Sequence, residues 1–456
     1  MMMDMFWHRS LSLIGVKLHY TMQLGVKYGA GKLLNSEFHT CEMKIAIIGS
    51  GAAGLAALKH SIEDGHDCIA YEKSGNVGGT WNYSDNVGVD EYGLPIHSSM
   101  YYGLRTNLPK ELMQYENFPY KESKRSILFQ EEVLTYINNY ANAFNLLRYV
   151  KFFKHVIEVA PLPGDRWTIK IKDLKTNTTE TKEYDVVIVC VGNYSIPKSP
   201  NIEGLDKFKG KVIHSHIYRK SDPFKNKRVI VIGGGPSGVD ISRIIAEVAD
   251  KVYVSLKSGT DVQDKFSEKV IIKPEILKFT ENTVVFEGNS EENIDDIIFC
   301  TGYIYSYPFL SPNCGIQVED NWVKYLYKQI ININHPTMAF IGVPFRVTPF
   351  PMFGIQVRFF LKYLKGGLAI NKAQMRQDLD QYMQKKKEEG QPTHYAHFLG
   401  LKQGWYMDDL ADTANIKRVP SVIQKLYAHF HSLGKKKFKM SFKLLNDDEF
   451  QETELS

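Results

Sequence analysis

The strongest pattern in the chain is a short apolar run that leads into a glycine-rich turn, and it occurs twice. The first run, Lys44-Ile45-Ala46-Ile47-Ile48, precedes Gly49-Ser50-Gly51-Ala52-Ala53-Gly54. The second run, Arg228-Val229-Ile230-Val231-Ile232, precedes Gly233-Gly234-Gly235-Pro236-Ser237-Gly238. A continuous apolar run of this length predicts a strand that is buried on both faces of a parallel sheet. Strand, glycine turn and helix in this order predict an α/β fold with two Rossmann-type dinucleotide-binding domains.

The three glycines of each turn have separate roles in such a site. The first permits the tight turn, the second lets the backbone approach a pyrophosphate, and the third lets the helix pack close to the sheet. The pyrophosphate then lies against free N–H groups at the positive end of the helix dipole. The predicted binding residues are Gly49, Ser50, Gly51, Ala52, Ala53 and Gly54 in the first turn and Gly233, Gly235, Pro236, Ser237 and Gly238 in the second. A glycine turn without a ligand is the alternative interpretation.

The residue that ends the second strand of each unit distinguishes the two ligands. Glu72 follows the strand after the first turn, where an acid accepts hydrogen bonds from both ribose hydroxyls of FAD or NAD. Lys257 stands near the matching position of the second unit, between Ser255 and Ser258. A cation with neighbouring hydroxyls fits a 2′-phosphate, so the second site is predicted to prefer NADPH. The alternatives are an ordinary exposed acid at Glu72 and a solvated lysine at Lys257.

Other patterns along the chain predict how the domains are arranged. The alternating run Trp167-Thr168-Ile169-Lys170-Ile171-Lys172 predicts a half-exposed strand in a small antiparallel insertion. The turn-rich Ile196-Pro197-Lys198-Ser199-Pro200 is the candidate linker into the second domain. The expected layout is an N-terminal extension that is disordered or targeting at 1–42, a first domain at 43–196, an inserted second domain at 197–323, a return to the first domain with C-terminal helices at 324–434, and a polar tail at 435–456.

Composition excludes several classes of protein. The 456 residues suffice for two or three domains, and a net charge of +5 is too mild for a nucleic-acid-binding footprint. The five cysteines form no Cys-x-x-Cys pair, which disfavours a flavin disulfide reductase and suits a reducing compartment. His97 and His335 have no second ligand at metal-binding spacing, so no metal site is predicted. No apolar stretch approaches the roughly 18 residues that cross a bilayer. The basic segment 435–443 is compatible with contact to an anionic membrane surface, or with simple solvation.

Four further segments carry a resemblance to a known family. Phe208 to Tyr218 reads FKGKVIHSHIY and matches the FxGxxxHxxxY/F signature of the flavin-containing monooxygenases. Gly78-Gly79-Thr80-Trp81 resembles their second glycine-rich flavin motif, and Leu104 to Glu111 resembles their active-site loop. Cys300-Thr301-Gly302-Tyr303 resembles the segment that closes their nicotinamide domain. The likeness spans about residues 43 to 430, and it is greatest to the compact insect-type members, which lack a hydrophobic C-terminal tail.

This resemblance implies an enzyme with FAD and NADPH as cofactors and an NADP domain inserted into the FAD domain. NADPH would reduce FAD, and the reduced flavin would react with O₂ to form a C4a-hydroperoxide that NADP⁺ shields. A small nucleophile, such as an amine or a sulfide, would take the distal oxygen atom. The cofactor carries the hard chemistry, and the protein supplies position, polarity and exclusion of water. The implied location is cytoplasmic or peripheral to the endoplasmic reticulum, and a homodimer is compatible with the sequence.

The resemblance also implies roles for individual residues. Asn107 matches the family's active-site asparagine, whose amide would hydrogen-bond the flavin or NADP⁺ near the site of oxygen activation. Gly79, Thr80 and Trp81 would contact the flavin. Gln356 is expected at the start of a helix whose N-terminus points at the flavin ring, where the helix dipole favours the anionic reduced form. His214 in the signature is interpreted as a domain-coupling group rather than a general base.

Three alternatives remain at this stage. A Baeyer–Villiger monooxygenase oxidises ketones with a related signature, although that signature usually ends in tryptophan, where this chain has Tyr218. An NADPH oxidase would release hydrogen peroxide instead of an oxygenated product. A protein that keeps the fold and FAD but is catalytically silent is disfavoured, because both turns and Asn107 are intact.

Overall fold

The computed structural model describes residues 42–257 and 266–455. The expected N-terminal extension, apart from Glu42, lies outside these residues, and so does Ser258 of the second predicted site. The described α-helices are α1 Ala52–Glu63, α2 Gln130–Ala143, α3 Pro236–Ile245, α4 Pro349–Leu364, α5 Lys372–Glu388, α6 Gln403–Ala414 and α7 Ser421–Ser432. Within the described part of the chain, none of the helices is long and apolar enough to span a membrane.

The strands of the described residues are mostly short. In chain order they are β1 Lys44–Ile48, β2 Asp67–Tyr71, β3 Val150–Lys151, β4 Lys154–Leu162, β5 Arg166–Asp173, β6 Thr179–Tyr184, β7 Val186–Val189, β8 Ile196–Pro197, β9 Lys211–His214, β10 Arg228–Ile232, β11 Lys251–Ser255, β12 Val270–Lys273, β13 Ile276–Phe279, β14 Thr283–Phe286, β15 Glu291–Asn293, β16 Asp296–Phe299, β17 Tyr303–Ile304, β18 Val318–Glu319, β19 Trp322–Val323, β20 Leu326–Tyr327, β21 Ile331–Asn332, β22 Met338–Phe340, β23 Met440–Leu444 and β24 Phe450–Glu454.

The first large sheet has seven strands in the order β20-β21-β22-β7-β1-β2-β3. Its centre is parallel, since β1 pairs with β2 and β7, and β7 pairs with β22. Ile45 and Ile47 of β1 pack in one core with side chains of α1 and α4, whereas Ala46 and Ile48 pack in a second core on the opposite face. Burial of both faces is the reason why the first run is continuously apolar.

The second large sheet is wholly parallel, with the order β12-β11-β10-β16-β9. Helix α3 connects β10 to β11, as α1 connects β1 to β2. Val229 and Val231 of β10 face one core, and Ile230 faces another. The second run is therefore apolar for the same reason as the first. The fold is thus a mixed α/β architecture with two glycine-turn sheets.

The chain passes between the two sheets twice. It leaves the first sheet after β7 and returns to it at β20, with the whole second sheet in between. The outgoing strand β8 pairs antiparallel with the returning strand β17, with Pro197 opposite Tyr303. The predicted linker at Ile196 is therefore one half of a two-stranded connection. The predicted insertion strand is confirmed as β5, which lies between β4 and β6 in an antiparallel sheet.

The prediction that 435–456 forms a polar tail is wrong for its second part. Strands β23 and β24 pair as an antiparallel hairpin. Phe442 is buried in the first domain's core, and its backbone N–H donates to Ser126 Oγ at 2.7 Å. Met440, Phe442 and Leu444 alternate with polar residues, which places apolar side chains on one face of β23. The alternation covers only five residues and follows a lysine-rich segment, so the sequence was interpreted as polar throughout.

Candidate active site

The first glycine turn is closed by contacts that leave no room for a side chain at two of its glycines. Gly49 has a φ of +97°, and a Cβ there would lie 2.6 Å from the Cys190 carbonyl oxygen. A Cβ on Gly54 would lie 2.0 Å from the Gly49 carbonyl oxygen. Gly49 N–H also donates to the Tyr71 carbonyl at 2.8 Å. These contacts hold β1, β2, β7 and α1 together at the carboxyl end of the sheet.

The second turn repeats this arrangement. Gly233 has a φ of +115°, and a Cβ there would lie 2.5 Å from the Cys300 carbonyl oxygen. A Cβ on Gly238 would lie 1.9 Å from the Gly233 carbonyl oxygen. Pro236 and Ser237 are the first residues of α3, where proline is well tolerated because its missing N–H would have no helical partner. Both turns thus place a helix N-terminus at the end of a parallel strand.

The middle glycine of each turn is free of such packing. A Cβ on Gly51 would meet only Gly79, at 3.5 Å, and a Cβ on Gly235 would have nothing within 4 Å. The folded chain itself therefore does not require glycine at these positions. The bare backbone there instead fits the close approach of a pyrophosphate to the N–H groups of a helix start. The residues present at both turns fit a dinucleotide.

The second glycine-rich segment lies against the first turn. Gly78 N–H donates to the Ser50 carbonyl at 3.1 Å, and a Cβ on Gly79 would lie 3.0 Å from the Gly51 Cα. Gly79–Trp81 forms a short 3₁₀-helix that starts from this contact. The hydroxyl of Thr80 is buried and has no hydrogen-bond partner in the described chain. Buried hydroxyl groups in folded proteins nearly always have a hydrogen-bond partner. The Thr80 hydroxyl, next to a glycine backbone, therefore fits a polar ligand as its partner.

Glu72 is buried at the end of β2, with an exposed fraction of 5%. Its Oε2 accepts from the backbone N–H of Ser50 at 2.9 Å and from the Ser50 hydroxyl at 3.1 Å. Its Oε1 accepts from the N–H and the hydroxyl of Ser74, both at 2.9 Å. These four hydrogen bonds occupy the acceptor positions of the carboxylate and hold it in place beside the first turn. The alternative that Glu72 is an ordinary exposed acid is wrong.

The corresponding part of the second unit is more open. Ser255 is buried, and its hydroxyl donates to the Pro274 carbonyl at 2.8 Å. Lys257 is exposed just beyond the end of β11. Lys257 thus stands where the fingerprint places the residue that reads the ribose, and its preference for a 2′-phosphate stays a prediction.

Asn107 lies at an exposed bend between the two domains. The chain before it is fixed by Thr106, whose N–H donates to the Leu128 carbonyl and whose hydroxyl accepts from Leu128 N–H. On one side of the bend, Leu104 packs against the core of the second sheet, and on the other side Leu108 packs in the core of the first sheet. The Asn107 side chain is therefore exposed between the two cores, and its position at the reacting centre stays a prediction.

The signature segment connects the domains. One ring nitrogen of His216 lies 2.9 Å from the Ile96 carbonyl oxygen, and Tyr101 donates to Asp240 at 2.6 Å. Burial, with His216 beside it, lowers the pKa of His214 to about 4, so this histidine is neutral near pH 7. The contacts of His214 itself are to the His216 N–H and the Tyr303 ring, so its role as a domain-coupling group stays a prediction.

Sequence reasoning missed Arg219, which follows the signature directly. Arg219 is 9% exposed, and its hydrogen bonds within the described residues all go to backbone carbonyl groups. The acceptors lie at 2.8–3.2 Å and belong to Ser84, Asn86, Ser98, His216 and Tyr218. An arginine with its donors in a fixed fork can collect this many carbonyls, whereas a lysine cannot. No signal in a single sequence marks such a residue, because its partners are main-chain atoms.

The prediction that Gln356 opens a helix is wrong. Helix α4 begins at Pro349, so Gln356 lies well inside it and is fully buried. Its Oε1 accepts from Gly342 N–H at 2.9 Å, and its Nε2 donates to the Tyr406 hydroxyl at 2.9 Å. Pro349 is the true helix start, and the proline signal was available in the sequence. Contact between Gln356 and a cofactor stays a prediction.

Comparisons with known proteins agree on one family. The flavin-binding monooxygenase-like family model matches residues 42–270 and 266–431. The chain belongs to this family. It is 37% identical over 305 residues to senecionine N-oxygenase of Tyria jacobaeae, which covers 66% of this chain and 67% of that protein. It is 35% identical over 389 residues to flavin-containing monooxygenase FMO GS-OX5 of Arabidopsis thaliana, which covers 81% of this chain and 84% of that protein.

A solved structure gives the same result. S-allyl-L-cysteine S-oxygenase from Allium sativum has a TM-score of 0.81 and 32% identity, and the match covers 86% of this chain and 93% of that one. The protein is therefore an enzyme, a flavin-containing monooxygenase, and its family uses FAD and NADPH. The two glycine turns are the parts of the fold that fit two dinucleotides.

Proposed function

We propose that the first turn holds FAD, that the second holds NADPH, and that the enzyme adds one oxygen atom of O₂ to a soft nitrogen or sulfur nucleophile. The observation that carries the assignment of sites is the pair of middle glycines, Gly51 and Gly235, whose backbones are bare although the fold does not need glycine there. Glu72 beside the first turn suits an unphosphorylated ribose, and Lys257 beyond β11 suits a 2′-phosphate. The second domain is then an NADP domain inserted into the FAD domain.

The protein's own contribution to the reaction is position and polarity. A bound FAD would supply the hydride acceptance from NADPH and the activation of O₂. The N-termini of α1 and α3 hold the pyrophosphates by backbone N–H groups. Arg219, His216 and Tyr101 fix the second domain against the first, so that the two sites keep one relative orientation. Such a fixed geometry lowers the entropic cost of bringing the reacting atoms together.

Asn107 is the proposed polar group at the reacting centre. It lies in the bend whose two sides pack against the two different cores, and its side chain is exposed at that junction. A neutral amide donates a hydrogen bond to oxygen without delivering a proton. The amide therefore stabilises negative charge that develops on an oxygen atom. It does not supply the proton that would release this oxygen as hydrogen peroxide.

The substrate class rests on the relatives together with this site. The names of the similar proteins describe an N-oxygenase and an S-oxygenase. Both reactions use a lone pair on a soft atom as the nucleophile, and neither needs a protein base to create it. The described residues offer no charged histidine at the signature segment, because burial lowers the pKa values of His214 and His216. A tertiary amine or a thioether fits a site of this kind.

The experiment that tests the proposal compares Asn107→Leu with the exposed control Asn282→Leu. FAD content, NADPH oxidation, oxygenated product and hydrogen peroxide are measured with trimethylamine, a thioether and cyclohexanone as substrates. We expect the native enzyme to oxygenate the amine or the thioether. We expect Asn107→Leu to keep FAD and to divert most NADPH into hydrogen peroxide. Undiminished product from Asn107→Leu would remove its assigned role. Ester formation from the ketone alone would favour a Baeyer–Villiger enzyme, and peroxide alone from the native protein would favour an oxidase.

A further inference from the structure

The hairpin of β23 and β24 has no part in the predicted dinucleotide sites. It runs from Met440 to Glu454, beyond residue 431, where the match to the family model ends. Its apolar face nevertheless packs into the core of the first domain through Phe442. The same core contains Leu108, the residue next to Asn107. The hairpin and the Asn107 bend are therefore joined by packing.

The Asn107 bend is anchored at both ends to one neighbouring segment. Before the bend, the Thr106 N–H donates to the Leu128 carbonyl at 2.8 Å. After the bend, the Lys110 N–H donates to the Ser126 carbonyl at 2.7 Å. Asn107 lies in the short stretch between these two bonds, so the position of its side chain depends on both anchors. Ser126 is the second anchor.

The hydroxyl of Ser126 connects this anchor to the hairpin. Ser126 is fully buried, and its Oγ accepts from the Phe442 N–H at 2.7 Å. The nearest acceptor for the proton of this hydroxyl is Glu111 Oε1, at 3.1 Å. Lys110 Nζ donates to the same carboxylate oxygen at 2.7 Å. Hydrogen bonds thus run from the backbone of the hairpin, through Ser126 and Glu111, to the residue that ends the bend.

Burial makes these hydrogen bonds important for the position of the bend. Lys110 and Glu111 form an ion pair although they are only 7% and 6% exposed. Strand β23 lies against the short helix Lys110–Leu112 that contains them. A buried ion pair is stable only when its polar atoms have partners, because little water can replace a lost hydrogen bond. Displacement of the hairpin therefore disturbs the end of the bend.

Helix α7 holds the hairpin itself in place. The Val422 N–H, in the first turn of α7, donates to the Asp447 carbonyl in the turn of the hairpin at 3.0 Å. Near the other end of α7, His429 Nε2 lies 2.6 Å from Glu452 Oε2 of β24. The hairpin is thus fixed to the first domain at two separate points, and it can serve as a rigid support.

We propose that the C-terminal hairpin positions Asn107 and that it does so through Ser126. The hairpin fixes the Ser126 hydroxyl, the Ser126 carbonyl fixes Lys110, and the Asn107 side chain is held between Lys110 and Thr106. Ser126 is fully buried, so it is a positioning residue and not a catalytic one. The effect on the reaction rests on the function proposed above for Asn107, whereas the mechanical link between the hairpin and the bend does not.

Two variants break this link in different ways, and each has a matched control. Ser126→Ala removes the hydroxyl and keeps the carbonyl that anchors Lys110. Its control is Ser432→Ala, at the exposed end of α7. Phe442→Ala keeps the N–H that reaches Ser126 and removes the buried ring that packs the hairpin onto the core. Its control is Phe438→Ala, whose ring is 50% exposed just before β23.

The first measurement is hydrogen exchange of the backbone amides in residues 104–112 of the FAD-loaded enzyme. We expect exchange in this segment to be about tenfold faster in Ser126→Ala and in Phe442→Ala, because loss of a buried hydrogen bond or of packing favours local opening. We expect no change in the two controls. Strand β10 in the second domain is the internal reference, and its exchange is expected to stay the same in every variant.

The second measurement follows where the electrons of NADPH go. In both variants we expect FAD content and flavin reduction within about twofold of the native enzyme, and a share of hydrogen peroxide that rises at least about threefold as Asn107 loses its position. A merely structural role of Ser126 would lower FAD content, reduction and product together. In an Asn107→Leu background, Ser126→Ala is expected to add no further peroxide, because both changes act on one side chain.

The outcomes separate this proposal from the function on which it rests. Unchanged exchange of residues 104–112 in both variants would overturn the link between the hairpin and the bend. Faster exchange with an unchanged share of peroxide, or additive effects in the double variant, would overturn the role of the hairpin in positioning Asn107. Undiminished product from Asn107→Leu would instead reject the function proposed for Asn107, and exchange would still decide whether the hairpin holds the bend. If Phe442→Ala fails to fold, Ser126→Ala decides the outcome.

Discussion

The two glycine turns of this chain share one backbone geometry and differ in what surrounds it. In both, a Cβ on the first glycine would lie about as close to a neighbouring carbonyl oxygen, at 2.6 Å for Gly49 and 2.5 Å for Gly233. In both, the third glycine is even more crowded, at 2.0 Å and 1.9 Å. The strand–turn–helix connection itself thus requires these glycines, whether or not a ligand binds. Only the middle glycine, which the packing does not require, is evidence for a bound ligand.

The residues around the two turns differ. The first is covered by the Gly78–Trp81 segment and has the buried Glu72 beside it, held by Ser50 and Ser74. The second has open space around Gly235 and an exposed Lys257. An enclosed site suits a cofactor that stays bound, and an open one suits a cofactor that must enter and leave in each cycle. This difference is the one expected for FAD in the first turn and NADPH in the second, an assignment that stays a prediction.

The largest effects are expected at the third glycines. Gly54→Ala and Gly238→Ala each force a methyl group onto a backbone carbonyl that cannot move freely, and overpacking of this kind costs about 1–3 kcal/mol or more. We expect Gly54→Ala to be purified without FAD, and Gly238→Ala to retain FAD but lose reduction by NADPH. Flavin absorbance and anaerobic reduction measure the two results. Gly354→Ala is the control for a glycine-to-alanine change in a helix, because a Cβ there would meet only His60 Nε2, at 3.5 Å. Loss of both properties in both variants would mean that the turns are not independent.

Removal of the connection between the two regions should have the next largest effect. Arg219→Gln leaves several of its five carbonyl acceptors without a donor, so the second domain is held less firmly. We expect a slower hydride transfer at saturating NADPH, by about tenfold or more, with FAD content unchanged. Arg219→Lys should recover only part of the rate.

The control for Arg219 is Lys220→Gln, which removes only an exposed ion pair with Asp85. A normal rate of flavin reduction in Arg219→Gln would show that Arg219 stabilises the fold without positioning the two sites.

The residues that read the ribose should have smaller and selective effects. Lys257→Ala is expected to raise the KM for NADPH by about tenfold and to leave that for NADH nearly unchanged, because a charge-assisted contact to phosphate is lost. Glu72→Gln is expected to weaken FAD binding without changing the preference for NADPH. Lys251→Ala, at the exposed start of β11, is the control. Equal KM changes for the two nucleotides in Lys257→Ala would contradict its role.

The smallest expected effect is on the pH dependence of stability, and it compares His214 in the second domain with His60 in the first. The pKa of His214 is lowered by burial from 6.5 to about 4, so the folded state binds fewer protons than the unfolded state between these values. Its contribution to stability is therefore present above pH 6.5 and is lost as the pH falls toward 4. We expect the melting temperature to fall over this window, and less so in His214→Asn. His60→Asn, whose pKa in the first region is lowered to about 3, gives the matched comparison. An unchanged slope in His214→Asn would contradict this.

The sequence by itself determined the local elements and their chemistry. Apolar runs followed by glycine turns predicted β1, β10 and the helices after them, because a buried parallel strand and a tight turn each need a particular kind of residue. Alternation predicted β5 for the same local reason. The resemblance to the family was evident from short segments, each of which can be recognised without knowledge of what it packs against. The preference for each ribose was predicted from single residues and stays a prediction.

Tertiary structure decided whatever depends on residues far apart in the chain. Arg219 collects carbonyls from the segment around residues 84–98, more than a hundred residues before it, and main-chain acceptors leave no trace in a sequence. Gln356 became a buried link to Tyr406 because α4 starts at Pro349. Phe442 is buried only because Ser126 and the first core lie beside β23. Local propensity specifies an element, but only long-range packing specifies which side chains it leaves facing a site.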